Sequence, residues 1–389
     1  MVAKRQLPSS PGFISATIPT LRLLRAVKMA DAVRNDGFRG IPILACLTLV
    51  ASKDGVAVEY RGTDEWARVQ AGGSGDGCIV VPSGSLLAFL GSVTADEVTI
   101  DKKADDARAV FSTPTQTFTV MCQSPDDTPE PKWGGELVRT LHLAEGVFAS
   151  LLELTLPFVS TEETRYYLNG VAVAVKNNVM TAVATDGHRL AKRETTLAET
   201  GTDIATSIIP HAACKLVRSL IGPAEIEMTV RQAGVDFKAG DIEFRSKLID
   251  GTYPDWSRVV PAVGDHAITF DGATATRCMR AIKGMSRERG RSVTIRGGEH
   301  GAEFTMSAAD NHIEFATLVE GRTKGRPKTL GLNARYLAGI IKLVGGCEVT
   351  INMTEEGKDG DGACCGAPVR VTSDRMPAGD IVVVMPMRV

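Results

Sequence analysis

Three stretches decide the fold: Ile79–Val93 (IVVPSGSLLAFLGSV), Ile208–Gly222 (IIPHAACKLVRSLIG) and Leu330–Gly345 (LGLNARYLAGIIKLVG). Each reads as a short strand, a Pro or Asn at its exit, and then an amphipathic helix. Each leads into a similar strand, EVTIDKK from Glu97, EIEMTVRQ from Glu225 and CEVTINMT from Cys347. Val98, Ile226 and Val349 align at spacings of 128 and 123 residues. A second helix recurs near Thr20 (TLRLLRAVKMADAVRN), Ala144 (AEGVFASLLELTL) and Thr274 (TATRCMRAIKGMSRERG), 124 and 130 residues apart. Order and spacing recur together, at an interval the size of a domain, which weakens chance similarity of amphipathic helices as an explanation. The pattern predicts three tandem α+β repeats at 13–135, 136–262 and 263–389 behind an N-terminal tail at 1–12. Each carries two helices on mostly antiparallel sheet. The linkers expected are Asp126–Gly135 and Val260–His266, both rich in Pro or Gly.

Working outward, 389 residues with 43% hydrophobic and 23% charged side chains exclude disorder and a collagen-like repeat. With 44 Lys and Arg against 46 Asp and Glu, no global basic charge advertises nucleic acid. Lys4 and Arg5 have no apolar run behind them, so no signal peptide is expected. The charge-free apolar stretch Ile41–Ser52 is far too short to span a bilayer. These features predict a cytosolic protein with no membrane partner. The eight cysteines include no CxxC and no zinc spacing, so thiols, no metal and no cofactor are expected.

Charge is nevertheless sorted. The six repeated helices, at 20–35, 83–93, 144–156, 211–222, 274–290 and 333–345, hold 13 basic and 4 acidic residues. The basic excess is set against an acidic remainder. Arg277, Arg280, Lys283 and Arg287 recur at three or four residues, opposite Cys278, Met279, Ile282 and Met285. Lys215 and Arg218 lie opposite Leu216, Val217 and Leu220. Arg335 and Lys342 stand two turns apart, and Arg22, Arg25, Lys28 and Arg34 mark the first helix. A solvated face explains any one such stripe. The same sign in all three units fits a polyanion held through phosphates rather than bases. The helix at 83–93 is neutral and that at 144–156 acidic.

Motifs for catalysis are thin. Ala184–Leu190 (ATDGHRL) holds Asp186 and His188, and a hydrolase using that pair is the rival from another class. No GxSxG, HExxH or GxxxxGK[ST] accompanies it. A tight turn between strands Thr181–Ala184 and Arg189–Glu194 is the plainer reading. Gly72–Gly77 (GGSGDG) and Asp359–Gly362 (DGDG) read as hairpin tips, and Gly321–Lys328 (GRTKGRPK) as a basic loop that is solvated or touches nucleic acid. The apolar tail Val383–Val389 (VVMPMRV) is expected to be pinned against the body, with Met385 and Met387 offering an adaptable apolar surface.

Arg165–Val171 (RYYLNGV), Ala184–Ala191 (ATDGHRLA), Ile249–Pro261 (IDGTYPDWSRVVP) and Val384–Arg388 (VMPMR) together resemble the beta sliding clamps of bacterial DNA polymerase III. Ile41–Leu44 (IPIL) and Gly62–Asp64 (GTD) also fit. The resemblance runs in order through nearly the whole chain. It implies a non-enzymatic processivity factor of the bacterial cytosol and nucleoid, a homodimeric ring of clamp domains with helices lining a hole for duplex DNA. Implied partners are the polymerase III alpha subunit, other polymerases, repair proteins and a clamp loader. Departures in the first domain leave room for a specialised second clamp copy, or for a monomeric clamp-like adaptor.

The resemblance also implies sites. A groove between the middle and last domains would take short partner motifs, with Leu168, Thr185, Gly187, His188, Arg189, Leu190, Pro254, Arg258, Val259, Val383, Met385, Pro386, Met387 and Arg388 around it. Tyr166 and Tyr167 would join Arg22, Arg25, Lys28, Lys215, Arg218, Arg277, Arg280, Lys283, Arg335 and Lys342 in contacting DNA. Phe118 and Val120 would face Met285 of a second copy at the dimer interface.

Overall fold

The computed structural model describes residues 12–34, 40–130, 134–285, 292–308, 313–325, 329–354 and 367–387. Among them one element order occurs three times. The first pass is β1 (Ile14–Pro19), α1 (Thr20–Ala32), β2 (Cys46–Ser52), β3 (Gly55–Arg61), β4 (Glu65–Gly72), β5 (Ser74–Pro82), α2 (Ser83–Leu90), β6 (Glu97–Lys102), β7 (Arg108–Ser112) and β8 (Thr117–Met121). The second is β9 (Leu137–Leu143), α3 (Val147–Thr155), β10 (Gly170–Lys176), β11 (Val179–Thr185), β12 (Arg189–Thr196), β13 (Ile204–Pro210), α4 (His211–Leu220), β14 (Ile226–Arg231), β15 (Gly234–Ala239) and β16 (Ile242–Lys247). The third is β17 (His266–Asp271), α5 (Gly272–Met285), β18 (Ser292–Gly298), β19 (Gly301–Ala308), β20 (Ile313–Lys324), β21 (Thr329–Asn333), α6 (Ala334–Val344), β22 (Glu348–Met353), β23 (Val369–Ser373) and β24 (Ile381–Val384).

The helices start where the sequence punctuates. Pro19 and Pro82, with φ near −60°, stand immediately before α1 and α2. Asn333 Oδ1 accepts the backbone N–H groups of Arg335 and Tyr336 at 2.9 and 3.2 Å and caps α6. Inward stripes recur every three or four residues: Leu23, Ala26, Val27 and Ala30 on α1, Ala275, Cys278, Met279 and Ile282 on α5, Leu337, Ile340, Ile341 and Val344 on α6.

The chain divides into two compact units, one within Met1–Ala149 and Ala212–Ile249, the other within Ser150–His211 and Asp250–Val389. The first is built on a 12-stranded sheet in the order β8-β7-β6-β1-β5-β2-β3-β4-β16-β15-β14-β9, and its core buries Tyr60, Phe111, Phe148, Phe237 and Phe244. The second carries the 12-stranded order β13-β10-β11-β12-β24-β23-β22-β17-β20-β19-β18-β21, with Phe270 and Phe304 packed edge to face at 5.1 Å. All the ladders are antiparallel. In both units a repeat's fourth strand pairs with the eighth strand of the next repeat: β4 with β16, and β12 with β24.

Two local readings change. Of the glycine-rich 72–77, only Gly73 lies between strands, Gly72 ending β4. Ser74–Gly77 is strand and pairs with β1. A Cβ on Gly75 would meet Ser15 O at 2.4 Å, so glycine is what lets the two backbones close. The basic stretch at 321–328 is not loop at its start: β20 continues through Lys324, and Arg322 is held by Glu348, at 2.8 Å through one guanidinium nitrogen. Arg326, Lys328, Arg287, Arg388, the Asp359–Gly362 motif, Cys364, Cys365 and residues 1–11 lie outside the described residues. Of the described cysteines, Cys46, Cys78, Cys214 and Cys278 are buried thiols.

Candidate functional site

The groove residues that are described all fall in the second unit, around the β12–β24 joint. Leu190 pairs with Val383 across that ladder, and with Val183 they form a buried apolar cluster. Tyr253, Trp256, Val260 and Ile381 pack against it, half exposed. Leu190 and Val383 are each 2% exposed, so they are the floor, and the aromatic and aliphatic side chains above them supply the surface. Pro254, Arg258 and Val259 are exposed on the segment that carries Trp256, which Asp255 caps by accepting the Ser257 N–H at 3.2 Å. Leu168 is buried at the end of a 3-10 turn, Glu163–Leu168.

The tail is pinned as expected. Met385 N–H donates to His188 O at 2.8 Å, and Met387 N–H to Gly331 O at 2.9 Å. Met385, Pro386 and Met387 are half-buried, which leaves flexible thioethers at the surface of an apolar floor.

The turn before β12 is closed on itself. Thr185 Oγ1 donates to Arg189 O at 2.8 Å and accepts the Gly187 N–H at 3.0 Å. Asp186 Oδ1 accepts the N–H groups of His188 and Arg189 at 3.0 and 3.1 Å. Gly187 has φ +88°, so the turn needs glycine for its backbone, and a Cβ there would lie 2.5 Å from Arg165 Nη1 and push that guanidinium aside. Arg189 is fully engaged. Its Nε donates to Asp186 Oδ2 at 2.9 Å and its Nη2 to Pro157 O at 2.8 Å. Its guanidinium carbon lies 5.0 Å from the Phe158 ring and 4.5 Å from the Tyr336 ring. The His188 ring stacks on Tyr336 at 6.2 Å. A hydrolase would need Asp186 to orient the His188 imidazole. Asp186 instead spends its hydrogen bonds on its own turn and on Arg189.

The Tyr253 hydroxyl is buried, and burial pushes its phenol up in pKa against the lowering effect of the Thr185 backbone. Tyr253, Trp256, Phe158 and Tyr336 also surround this cluster and turn, beyond the residues that the motifs assign. Two of them were visible in the TYPDW run. Tyr336 sits on a helix read for its charge alone.

The basic candidates are all exposed: Arg22, Arg25 and Lys28 on α1, Lys215 and Arg218 on α4, Arg277, Arg280 and Lys283 on α5, Arg335 and Lys342 on α6. Arg25 forms a two-pronged pair with Asp241, 3.1 Å for one of its two contacts. Tyr166 is 54% exposed and meets Tyr167 edge to face at 5.9 Å.

On β8, Phe118 is half-buried and stacks on Phe89 at 5.0 Å, beside an open hollow of about 560 Å³ lined by both. Val120 points inward at 9% exposure, while Met121 is 58% exposed. Met285, at the end of α5, is 36% exposed.

The model of the DNA polymerase III beta subunit central domain matches residues 142–255. A beta sliding clamp of Caulobacter vibrioides is 28% identical over 388 residues, covering 96% of this chain and 99% of that protein. One from Pseudomonas putida is 27% identical over 309 residues, 77% of this chain and 83% of its own length. Over nearly its whole length the chain is similar to beta sliding clamps. The crystal structure of the Caulobacter crescentus beta sliding clamp superposes on it with a TM-score of 0.89 at 27% identity, covering 98% of this chain and all of that one. The three-repeat α+β architecture is therefore that of a clamp. Among the described residues no helix is long and apolar enough to cross a membrane.

Proposed function

We propose that the chain is a non-enzymatic DNA sliding clamp: two copies close head to tail around duplex DNA and tether polymerases and repair proteins to it. The observation that carries this is the strand arithmetic of the repeats. Within one chain, fourth strands meet eighth strands at β4–β16 and β12–β24. That leaves one eighth strand, β8, at the end of its sheet, and one fourth strand, β20, whose Ile313–Glu320 portion pairs with β19 alone. Two copies that repeat the same joint use up both edges twice, and a closed C2 pair results. Phe118 and the exposed Met285 and Leu318 supply apolar surface for that contact. Under this reading the three repeats are domains at 13–135, 136–262 and 263–389, and the protein works in the bacterial cytosol at the nucleoid.

Encirclement makes affinity a secondary matter. The basic helices need only hold phosphates loosely without reading bases, so the ring slides. An ATP-driven clamp loader would open it. Partner proteins would insert a short apolar motif over Leu190, Val383 and the Tyr253–Val260 segment, where Met385 and Met387 can adapt to different side chains. Arg189, held between two rings, would keep the rim fixed as the peptide orders.

The test is topological. A loaded ring should stay on closed circular DNA and leave linear DNA by its ends. Replacing Arg277, Arg280 and Lys283 by Glu should impair loading and flatten the salt dependence by about 0.9 per lost phosphate contact. Equal retention on circular and linear DNA would sink encirclement.

A further inference from the structure

We infer that Asp241 is an internal competitor for DNA: its carboxylate occupies Arg25 in the middle of the α1 basic stripe and so sets how many phosphates that helix can hold. This rests on the reading of α1 as a DNA-facing helix.

The stripe is Arg22, Arg25, Lys28, three exposed cations one turn apart above the buried Leu23, Ala26, Val27 and Ala30. Among the described residues Arg22 and Lys28 make no ion pair. Arg25 alone is taken, by a carboxylate 216 residues away at the β15–β16 turn. Both of its terminal guanidinium nitrogens are used, which is the geometry by which arginine holds a phosphate. An arginine so engaged offers little to DNA, and the acid beside it repels a phosphate approaching its neighbours.

The carboxylate is not needed to place the turn. Gly240, at φ +55°, makes the bend. The main chain of Asp241 is held by Gln70, whose N–H donates to Asp241 O at 3.0 Å, and the β16–β4 ladder begins at the next residue with Ile242 opposite Val69. Both side chains are close to half exposed, 48% for Arg25 and 43% for Asp241, and pairs so exposed contribute little to stability. The pair's consequence is therefore electrostatic. It cancels one charge of that helix without removing the cation, which is a way to weaken DNA holding in a protein whose retention is topological.

The experiment measures binding of the full-length protein to a short fluorescent duplex between 50 and 200 mM salt. Asp241→Asn should bind more tightly, with a salt slope steeper by about 0.9, so that its advantage shrinks about 3.5-fold across that range. In an Arg25→Ala background Asp241→Asn should gain less and leave the salt slope unchanged, since it then removes only the carboxylate's repulsion and releases no arginine, and Arg25→Ala alone should weaken binding by leaving that carboxylate uncompensated. Asp241→Ser, also neutral and turn-compatible, should behave like Asp241→Asn. The proposal is overturned by an unchanged affinity, by an equal gain with and without Arg25, or by a fall in thermal midpoint in both Asp241 variants, which would make the pair a structural strap. Charge reversal at Arg22 and Lys28 serves as the control for the parent reading. If it leaves binding intact, α1 does not face DNA and that reading fails first. If it weakens binding while Asp241→Asn gains nothing, only the competitor idea falls.

Discussion

The β4–β16 joint of the first unit and the β12–β24 joint of the second are the same backbone construction with opposite side chains. In the first, Trp66 stands opposite Arg245; in the second, Leu190 stands opposite Val383. The Trp66 ring is 8% exposed because the Arg245 guanidinium covers it at 5.0 Å, held in turn by Asp236 at 3.5 Å. Lys247 pairs with Asp64 at 2.7 Å beside it. The second joint has no such lid. Its charges sit at the two ends of the joint, Asp186 with Arg189 and Arg193 with Asp380, and the side chains packed on its apolar pair are Tyr253, Trp256, Val260 and Ile381. A sheet join therefore does not make a groove by itself. The side chains beside it decide whether the apolar pair is sealed by ions or left for a ligand.

The harshest way to break this contrast is to move the ionic lid into the apolar joint. Val383→Arg would place a cation at a site 2% exposed, within Val183, Leu190 and Tyr253. No carboxylate equivalent to Asp236 waits there among the residues of that cluster, and an unpaired buried charge costs about 3–5 kcal/mol. Urea unfolding should show a loss of that size in the second unit, together with loss of peptide binding. A loss under about 1 kcal/mol would mean the floor is open to water and the comparison is misdrawn.

A smaller effect belongs to the sealed joint. Glu65, opposite Ser246, is 9% exposed, and burial, helped by Asp64, raises its carboxyl to about 7, Lys247 opposing. A folded-state value above the unfolded one means the native protein holds a proton that the unfolded chain releases. The associated stability is complete below about 4.5 and is lost as pH rises through about 7. Glu65→Gln removes that dependence. It should be worth about 2–3 kcal/mol at pH 8 and nearly nothing at pH 4, read by denaturant midpoints across pH. A Gln variant with the same pH slope as the parent protein would show that Glu65 ionises freely.

The repeats were legible because they are written locally. A Pro or Asn, an apolar stripe every three or four residues and an alternating strand recur within each stretch of about 25 residues, and nothing distant is needed to see them. The groove was legible only through whole motifs. Which member of a strand faces out depends on pairing, so Leu190 and Val383 looked like walls and proved to be floor, and Val120 on β8 proved to point inward. Ser74–Gly77 looked like a tip because its partner, β1, lies some 60 residues earlier in the chain. Arg25 looked free because the acid that holds it is 216 residues away. Side-chain partners fixed by tertiary packing leave no trace in local periodicity.

The gentlest change asks whether the ionic lid alone closes the first joint. Arg245→Val removes a guanidinium that is 38% exposed and its contact with Trp66. An exposed cation–π pair is worth about 0.5–1 kcal/mol, so stability should fall by no more than that, while quenching of Trp66 fluorescence by acrylamide rises. Titration with a partner peptide should still saturate at one per chain. The first joint lacks the other walls: where the second has Tyr253 and Trp256, the first has Ser124–Asp127 and a buried Thr128, which donates to Pro125 O at 2.6 Å and accepts from Arg61 at 3.4 Å. Its strand β16 also ends in Lys247, tied to Asp64, where β24 leads on into Met385 and Met387. A partner's apolar end would meet hydroxyls and carboxylates on both sides and leave them unsatisfied. Two peptides per Arg245→Val chain would instead assign the closure to that one arginine and make the two joints equivalent beneath it.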